Sequence, residues 1–227
     1  SHDICLDVLA DLFRASGTDT LRSSHVGSLA GLMAVGSGTC HLSGRAGAST
    51  QQMAATTHPL SGGISPVCPR LGGAHLVERE QGLIVAPGNP KSIEGLSDLV
   101  LPDITFVNRQ SGSGTRVLLD YELARKSIDL AAIDGYETVE FTHMAVAVAV
   151  QSGAADVGLG IRAAAKALGL GFVPVASEPY ELVIPEALFG EPGIARLLLV
   201  IGSPEFARRV QALGGYDTTR TGQVRSP

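Results

Sequence analysis

Nine consecutive residues, Asn108-Arg109-Gln110-Ser111-Gly112-Ser113-Gly114-Thr115-Arg116, carry the densest chemistry in this sequence. Ser111, Ser113 and Thr115 offer hydroxyl donors, and Gly112 and Gly114 let the backbone turn tightly and approach a bound group closely. The run lies between an apolar, strand-like stretch at 104–108 and a helical pattern from about Thr115 to Lys126. Its last amides therefore open a helix, where unsatisfied N–H groups and the helix dipole favour an anion. Arg109 and Arg116 bracket the loop with forked donors suited to a tetrahedral oxyanion. A helix cap with no ligand is the competing explanation, and the paired arginines weigh against it.

Three further helix starts could face the same space. Ser1 stands before the first helical pattern, Ser28 opens the second after Gly27, and Thr142-His143 precede the helix of 144–151. Taken singly, each is a simple cap. Together with the 111–116 loop they form a candidate ring of neutral donors, because open α/β sheets gather helix N-termini and ligands at the carboxyl ends of their strands.

Other chemistries are poorly served. The lysine of a nucleotide-phosphate loop is missing, since Gly114 is followed directly by Thr115, and the three spaced glycines of a dinucleotide fingerprint are absent. His2, His25, His41, His58 and His75 show no metal spacing, no serine sits in a nucleophile elbow, and no two carboxylates pair as acid and base. A transferase working in the same cleft would need a base there, and His143 is the residue available. The expectation is a binding module, not an enzyme, with no catalytic residues, no metal site and no cofactor besides a bound oxyanion.

The elements that must hold these residues alternate between strand and helix. Helical spacing marks 4–15, capped near Ser1 or Asp3, then 28–35, 115–126, 144–151, 162–168, 192–201 and 203–213. Strand-like segments fall at 20–26, 39–42, 82–86, 104–108, 138–141, 155–161, 171–175 and 181–184, with a helical turn at 97–101. Residues 44–75, rich in Ala, Gly, Ser, Thr and Pro, read as a long loop or flap, and the chain after Gly214-Gly215 reads as a polar tail. The alternation predicts α/β architecture in which each lobe is a mainly parallel sheet flanked by helices. With 82–86 and 181–184 taken as crossings, lobe 1 comprises 1–84 plus 182–227 and lobe 2 comprises 85–181.

The chain has 227 residues, 44% of them hydrophobic and 17% charged, which suits one large domain or two small lobes. A net charge of -5 argues against a nucleic-acid surface, and the absence of tryptophan argues against a base- or sugar-stacking platform. Membrane insertion is not expected, because no apolar stretch approaches about 18 residues. Cys5, Cys40 and Cys68 fit no disulfide framework and lean toward a reducing compartment, cytoplasmic ahead of periplasmic. The opening Ser1-His2-Asp3 has neither methionine nor signal segment and reads as a processed or excised piece.

The segments Asn108 to Asp120, Thr142 to Ala165 and Phe206 to Asp217, with Ser1-His2-Asp3, Gly27-Ser28 and Glu80 to Pro90, resemble the substrate-binding domain of the molybdate- and tungstate-binding periplasmic-protein family. That resemblance implies a two-lobed type-2 periplasmic-binding-protein-like fold closing on an oxyanion, molybdate or tungstate ahead of phosphate, sulfate or a carboxylate. It implies ligand contacts from Ser1 and Ser28 in the first lobe and from Ser113, Gly114, Thr115 and Arg116 in the second. It also implies a role in transport or sensing. The partner would be an ABC permease, a fused helix-turn-helix regulator or a molybdenum-cofactor biosynthesis protein. The chain departs from the family after Leu42, where a small-residue loop replaces an acidic stretch containing Gly and Tyr.

Overall fold

The computed structural model describes residues 3–47 and 70–225. Its spine is an antiparallel ribbon of two 15-residue strands, β2 (Leu71–Val85) and β6 (Gly171–Pro185), paired from Leu71↔Pro185 to Val85↔Gly171. Along its other edge β2 changes partners. Its first half meets β8 (Val224–Arg225) and β7 (Tyr216–Asp217), and its second half meets β5 (Val157–Ile161). The change falls at Arg79–Gln81, because Arg79 pairs with Tyr216 and Gln81 with Ile161. β1 (Ser43–Ala46) lies outside β6, and β3 (Phe106–Arg109) and β4 (Val139–Glu140) extend the sheet beyond β5.

Each half of the ribbon has its own core. Around the first half pack α1 (Ile4–Ala15), α6 (Pro192–Ile201) and α7 (Pro204–Leu213), through Leu9, Phe13, Leu76, Leu182, Leu197, Phe206 and Val210. Around the second half, Leu83, Phe106, Val157 and Leu159 meet Leu119 and Leu123 of α3 (Gly114–Arg125). On the opposite face, Val107 and Ile161 meet α4 (His143–Gln151) and α5 (Arg162–Ala167). α2 (Ser28–Gly36) packs on β1. The helices start where their caps dictate, with Asp3, Ser113, Thr142 and Ser203 each accepting a bond from a first-turn amide.

The structure corrects several expectations. Residues 20–26 form no strand; almost all are exposed, so their β-branched pattern finds no sheet to join. The strand expected at 39–42 lies at Ser43–Ala46. The expected loop at 44–75 is strand at both ends, and residues 48–69 lie outside the described residues. The segments 171–175 and 181–184 are one strand. Among the described residues β1 pairs with Tyr180–Val183, beyond Pro174 and Pro179, so neither proline has to donate an N–H to that ladder; the Pro179 carbonyl accepts from the Gly47 amide at 2.7 Å. The polar tail supplies β7 and β8. Each lobe was expected to be mainly parallel; among the described residues parallel pairing is confined to β3 with β4 and β5, and the ribbon and β1 are antiparallel.

Candidate functional site

Of the helix starts singled out above, those of α2 and α3 meet, and the start of α3 is tied to the middle of the ribbon through Thr115 and Gln81. The first turn of α2 lies against the 110–114 loop: the Leu29 amide donates to the Gly112 carbonyl at 3.4 Å. Gly27 and Gly112 adopt φ of 84° and 78°, the left-handed region that favours glycine. A Cβ added to Gly27 would sit 3.0 Å from the Gly112 oxygen, so the close approach requires glycine as well. A Cβ on Gly114 would lie 3.3 Å from Ser28 Oγ and 2.5 Å from Ala46 Cβ. Gly114→Ala is therefore expected to push α3 away from β1 and α2 and to cost about 1–3 kcal/mol in urea unfolding.

Ser28 is buried, and its Oγ has no hydrogen-bond partner among the described residues. Ser113 is buried as the cap of α3, accepting from the Arg116 amide at 3.2 Å. The neighbouring amides of Gly114 and Thr115 have no intrahelical acceptor, as at any helix start. Thr115 is buried, with Oγ1 3.0 Å from Gln81 Nε2. Arg109, at the end of β3, is 1% exposed. Its Nη2 donates to the Phe141 carbonyl (2.9 Å) just before α4, its Nε contacts Gln110, and its Nη1 is buried with no partner. Burial first, then the charge of Arg79, pull the Arg109 guanidinium down to about 10, against a partial offset from Asp3.

The other predicted residues take different places. Ser111 is exposed on the turn. Arg116 points away, along α3. Its Nε meets Asp120 (3.1 Å), its Nη1 reaches the Tyr136 carbonyl (3.3 Å), and its guanidinium lies 3.9 Å from the centroid of the Tyr136 ring. Thr142 caps α4 through the Ala145 amide (3.0 Å). His143 is buried against β5, its Nδ1 3.6 Å from where a Gly160 Cβ would be. Ser1 lies outside the described residues.

Sequence reasoning missed the buried polar network under these helix starts. Arg79, fully buried, donates from Nη1 to Asp3 (2.7 Å) and from Nε and Nη2 to Glu178 Oε1 (3.0 and 2.7 Å), with its guanidinium 4.6 Å from the Tyr180 ring centroid. Glu178 Oε1 also accepts from Gln81 Nε2 at 2.7 Å. Asp3 further accepts from the Tyr216 hydroxyl (2.6 Å) and the Cys5 amide (2.9 Å). Burial opposes ionisation of Asp3, but Arg79, Tyr216 and the Cys5 amide outweigh it and hold the carboxyl below its usual range. Burial likewise opposes the charge on Arg79, and Glu178 and Asp3 more than reverse it. A continuous relay thus runs from the start of α1, across the ribbon, to the start of α3. The signal available in the sequence was the pair of alternate positions Arg79 and Gln81, followed directly by the apolar run Leu83 to Val85.

A cavity of about 280 Å³ lies elsewhere, between α2, β1 and the 21–26 loop, lined by Leu6, Leu42 and Leu182 among others. None of the predicted residues lines it, and its walls are mostly apolar, so the polar junction is the candidate site. Among the described residues no cluster of three His, Cys, Asp or Glu could hold a metal ion, and no helix is long and apolar enough to cross a membrane.

Comparison with known proteins agrees with this fold. The uncharacterized protein YvgK of Bacillus subtilis (strain 168) is 37% identical over 150 residues, which cover 66% of this chain and 48% of YvgK, so the match spans about half of that relative's length. A substrate-binding protein assigned to a phosphate ABC transporter of Clostridium perfringens, with phosphate bound, superposes with a TM-score of 0.63 at 16% identity, covering 92% of this chain and 93% of its own. The substrate-binding domain assigned to a molybdenum ABC transporter of Clostridium difficile gives a TM-score of 0.52 at 16% identity, covering 94% and 93%. The family description "PBP superfamily domain" matches residues 10–202. The two-lobed α/β architecture with helix starts gathered at its middle, together with that match, places this chain in the PBP superfamily domain family.

Proposed function

We propose that this chain is a receptor module that closes on a small tetrahedral oxyanion, with molybdate or tungstate the favoured ligand and phosphate or sulfate the alternative. The observation that carries this reading is a pair of buried donors without partners among the described residues, Ser28 Oγ at the start of α2 and Arg109 Nη1 of a guanidinium that reaches the start of α4. A buried donor without an acceptor costs about 1–3 kcal/mol, and an anion beside it removes that cost. Ser28 comes from the half built on α1, α2 and β1, whereas Arg109 and Thr115 come from the half built on β3 and α3. An anion held by all three would hold the halves together, so binding and closure are one event. The partner change of β2 at Arg79–Gln81 supports drawing both lobe limits a few residues nearer the middle of the ribbon than 84/85 and 181/182. The closed module would report to an ABC permease or to a fused regulatory domain.

Molybdate and tungstate are dianions without protons near neutral pH, which suits a junction that offers donors. The fold itself does not choose between them and phosphate, since proteins assigned to transport of each share it. Calorimetric titration with molybdate, tungstate, sulfate and phosphate tests the reading, and no measurable heat with any of the four would reject it. Thr115→Val is expected to weaken molybdate binding about 10- to 100-fold, the worth of one hydrogen bond to a charged group. Arg116→Ala is expected to change affinity less than about threefold while costing about 1–2 kcal/mol of stability, because its guanidinium serves Asp120 and Tyr136 instead of the junction.

A further inference from the structure

We infer that the cavity beside α2 is a second ligand site, which takes a small organic monocarboxylate with an apolar body. It is separate from the receptor reading, because neither Ser28, Arg109 nor Thr115 lines it. α2 comes down on β1 at Gly31, where an added Cβ would lie 2.2 Å from Ser43 Oγ. The cavity of about 280 Å³ opens beside that contact. Its floor is apolar: Leu6 of α1 and Leu182 of β6 are buried there, and Leu42 is half-buried. Leu21 and Val26 also line it. These two belong to the segment whose strand-like pattern finds no sheet to join, so its apolar residues serve as a wall instead. Protein interiors leave few voids larger than a water molecule. An apolar cavity of about 150 Å³ already admits benzene, so this one has room for a chain of about six carbons.

Charge identifies the head group. Between Thr20 and Val77 the sequence holds no Asp or Glu, although the chain as a whole carries a net charge of -5. That stretch supplies α2, β1 and the 21–26 segment, and its Arg22 lines the cavity. The Arg22 guanidinium has no acceptor among the described residues. Arg45 of the same stretch is engaged by Glu181, and Asp19 is engaged by Arg196. One uncompensated cation at the edge of an apolar cavity suits one negative charge on an apolar body. A tetrahedral dianion is poorly served there, since the Thr39 and Ser43 hydroxyls donate to backbone carbonyls and the walls are mostly apolar.

Calorimetry of the full chain with butyrate, hexanoate and hexanol tests the site. Each buried methylene raises affinity about fourfold, so hexanoate should bind saturably and about 10-fold or more tighter than butyrate. A carboxylate held at the surface by Arg22 alone would show no such gain. Because Arg22 is exposed, Arg22→Gln should weaken hexanoate about 2- to 5-fold and leave hexanol unchanged. Ala34→Leu fills the cavity from α2 and should abolish hexanoate binding. Should that variant fail to fold, Val26→Phe carries the same expectation, since Val26 is 51% exposed and tolerates a larger side chain. Arg109→Met should bind hexanoate as the native protein does. Hexanoate that gives no saturable heat, gains nothing over butyrate, or binds Arg22→Gln or the filled variant as tightly as the native protein would overturn the inference. Loss of hexanoate binding in Arg109→Met would overturn it as well, by placing the carboxylate at the junction. None of these outcomes bears against the receptor reading, which stands or falls on the oxyanion titrations.

Discussion

Replacing Arg79 by methionine is expected to cost about 3–5 kcal/mol, a large share of the roughly 5–15 kcal/mol that holds a typical domain together. The substitution leaves the carboxylates of Asp3 and Glu178 facing each other in the interior without their shared cation. The loss should be read in urea unfolding at neutral pH. Its pH dependence has a definite sign. In the native protein the Asp3 carboxyl is held below its unfolded value, so its contribution is present above about pH 4 and is lost as the pH falls through the lower folded value. Without Arg79 the largest influence that holds the Asp3 carboxyl down is gone, and burial, which favours the protonated acid, is opposed only by the Tyr216 hydroxyl and the Cys5 amide. The variant should therefore recover stability relative to the native protein on mild acidification. Restoring charge balance with Asp3→Asn and Glu178→Gln should return much of the loss at neutral pH. If the Arg79 variant unfolds like the native protein at every pH, the relay does not support the fold.

Arg109→Met is expected to separate binding from stability. Molybdate affinity should fall about 100-fold or more, since a forked cation is the strongest donor at the junction. The melting temperature should stay the same or rise. The native guanidinium is buried with Nη1 unpartnered and is pulled down to about 10 by burial and by Arg79. That depression is a folding penalty, fully present at neutral pH where the group is charged in both states. A methionine of similar length removes the penalty along with the bond to the Phe141 carbonyl. A variant that loses stability yet keeps its affinity would show that Arg109 props up the α4 start and does nothing for a ligand.

Much of this layout could be read from residue order, and the failures share one cause. The helices were legible because apolar residues recur at 3.6-residue spacing behind Asp or Ser caps, as in α1 and α7, or because a Ser or Thr cap opens the segment, as in α3 and α4. β5 was legible because all five of its residues are buried. The first half of β2 was not, because the polar run Glu78-Arg79-Glu80-Gln81 interrupts the apolar pattern that identifies a strand. Two of the four, Arg79 and Gln81, are polar because they form the relay, so the chemistry of the relay helps conceal the element carrying it. Glu178 and Pro179 hid the middle of β6 in the same way. The 108–116 run was legible as a loop before a helix, but sequence spacing treated its two arginines as equivalent. Direction decided between them: Arg109 ends a strand beneath the junction, whereas the α3 backbone carries the Arg116 side chain to Asp120 and Tyr136. Antiparallel pairing was equally hidden, because long-range strand direction leaves no local trace when both faces of a strand are buried.

The claim that helix starts from both halves converge on one anion is tested most directly by diffraction from crystals grown with tungstate. The tungsten atom is located by its anomalous signal, without reference to any protein group. The predicted result is one strong peak, with tungstate oxygens within hydrogen-bond distance of Ser28 Oγ, Arg109 Nη1 and Thr115 Oγ1. A peak anywhere else, the apolar cavity beside α2 included, would contradict it.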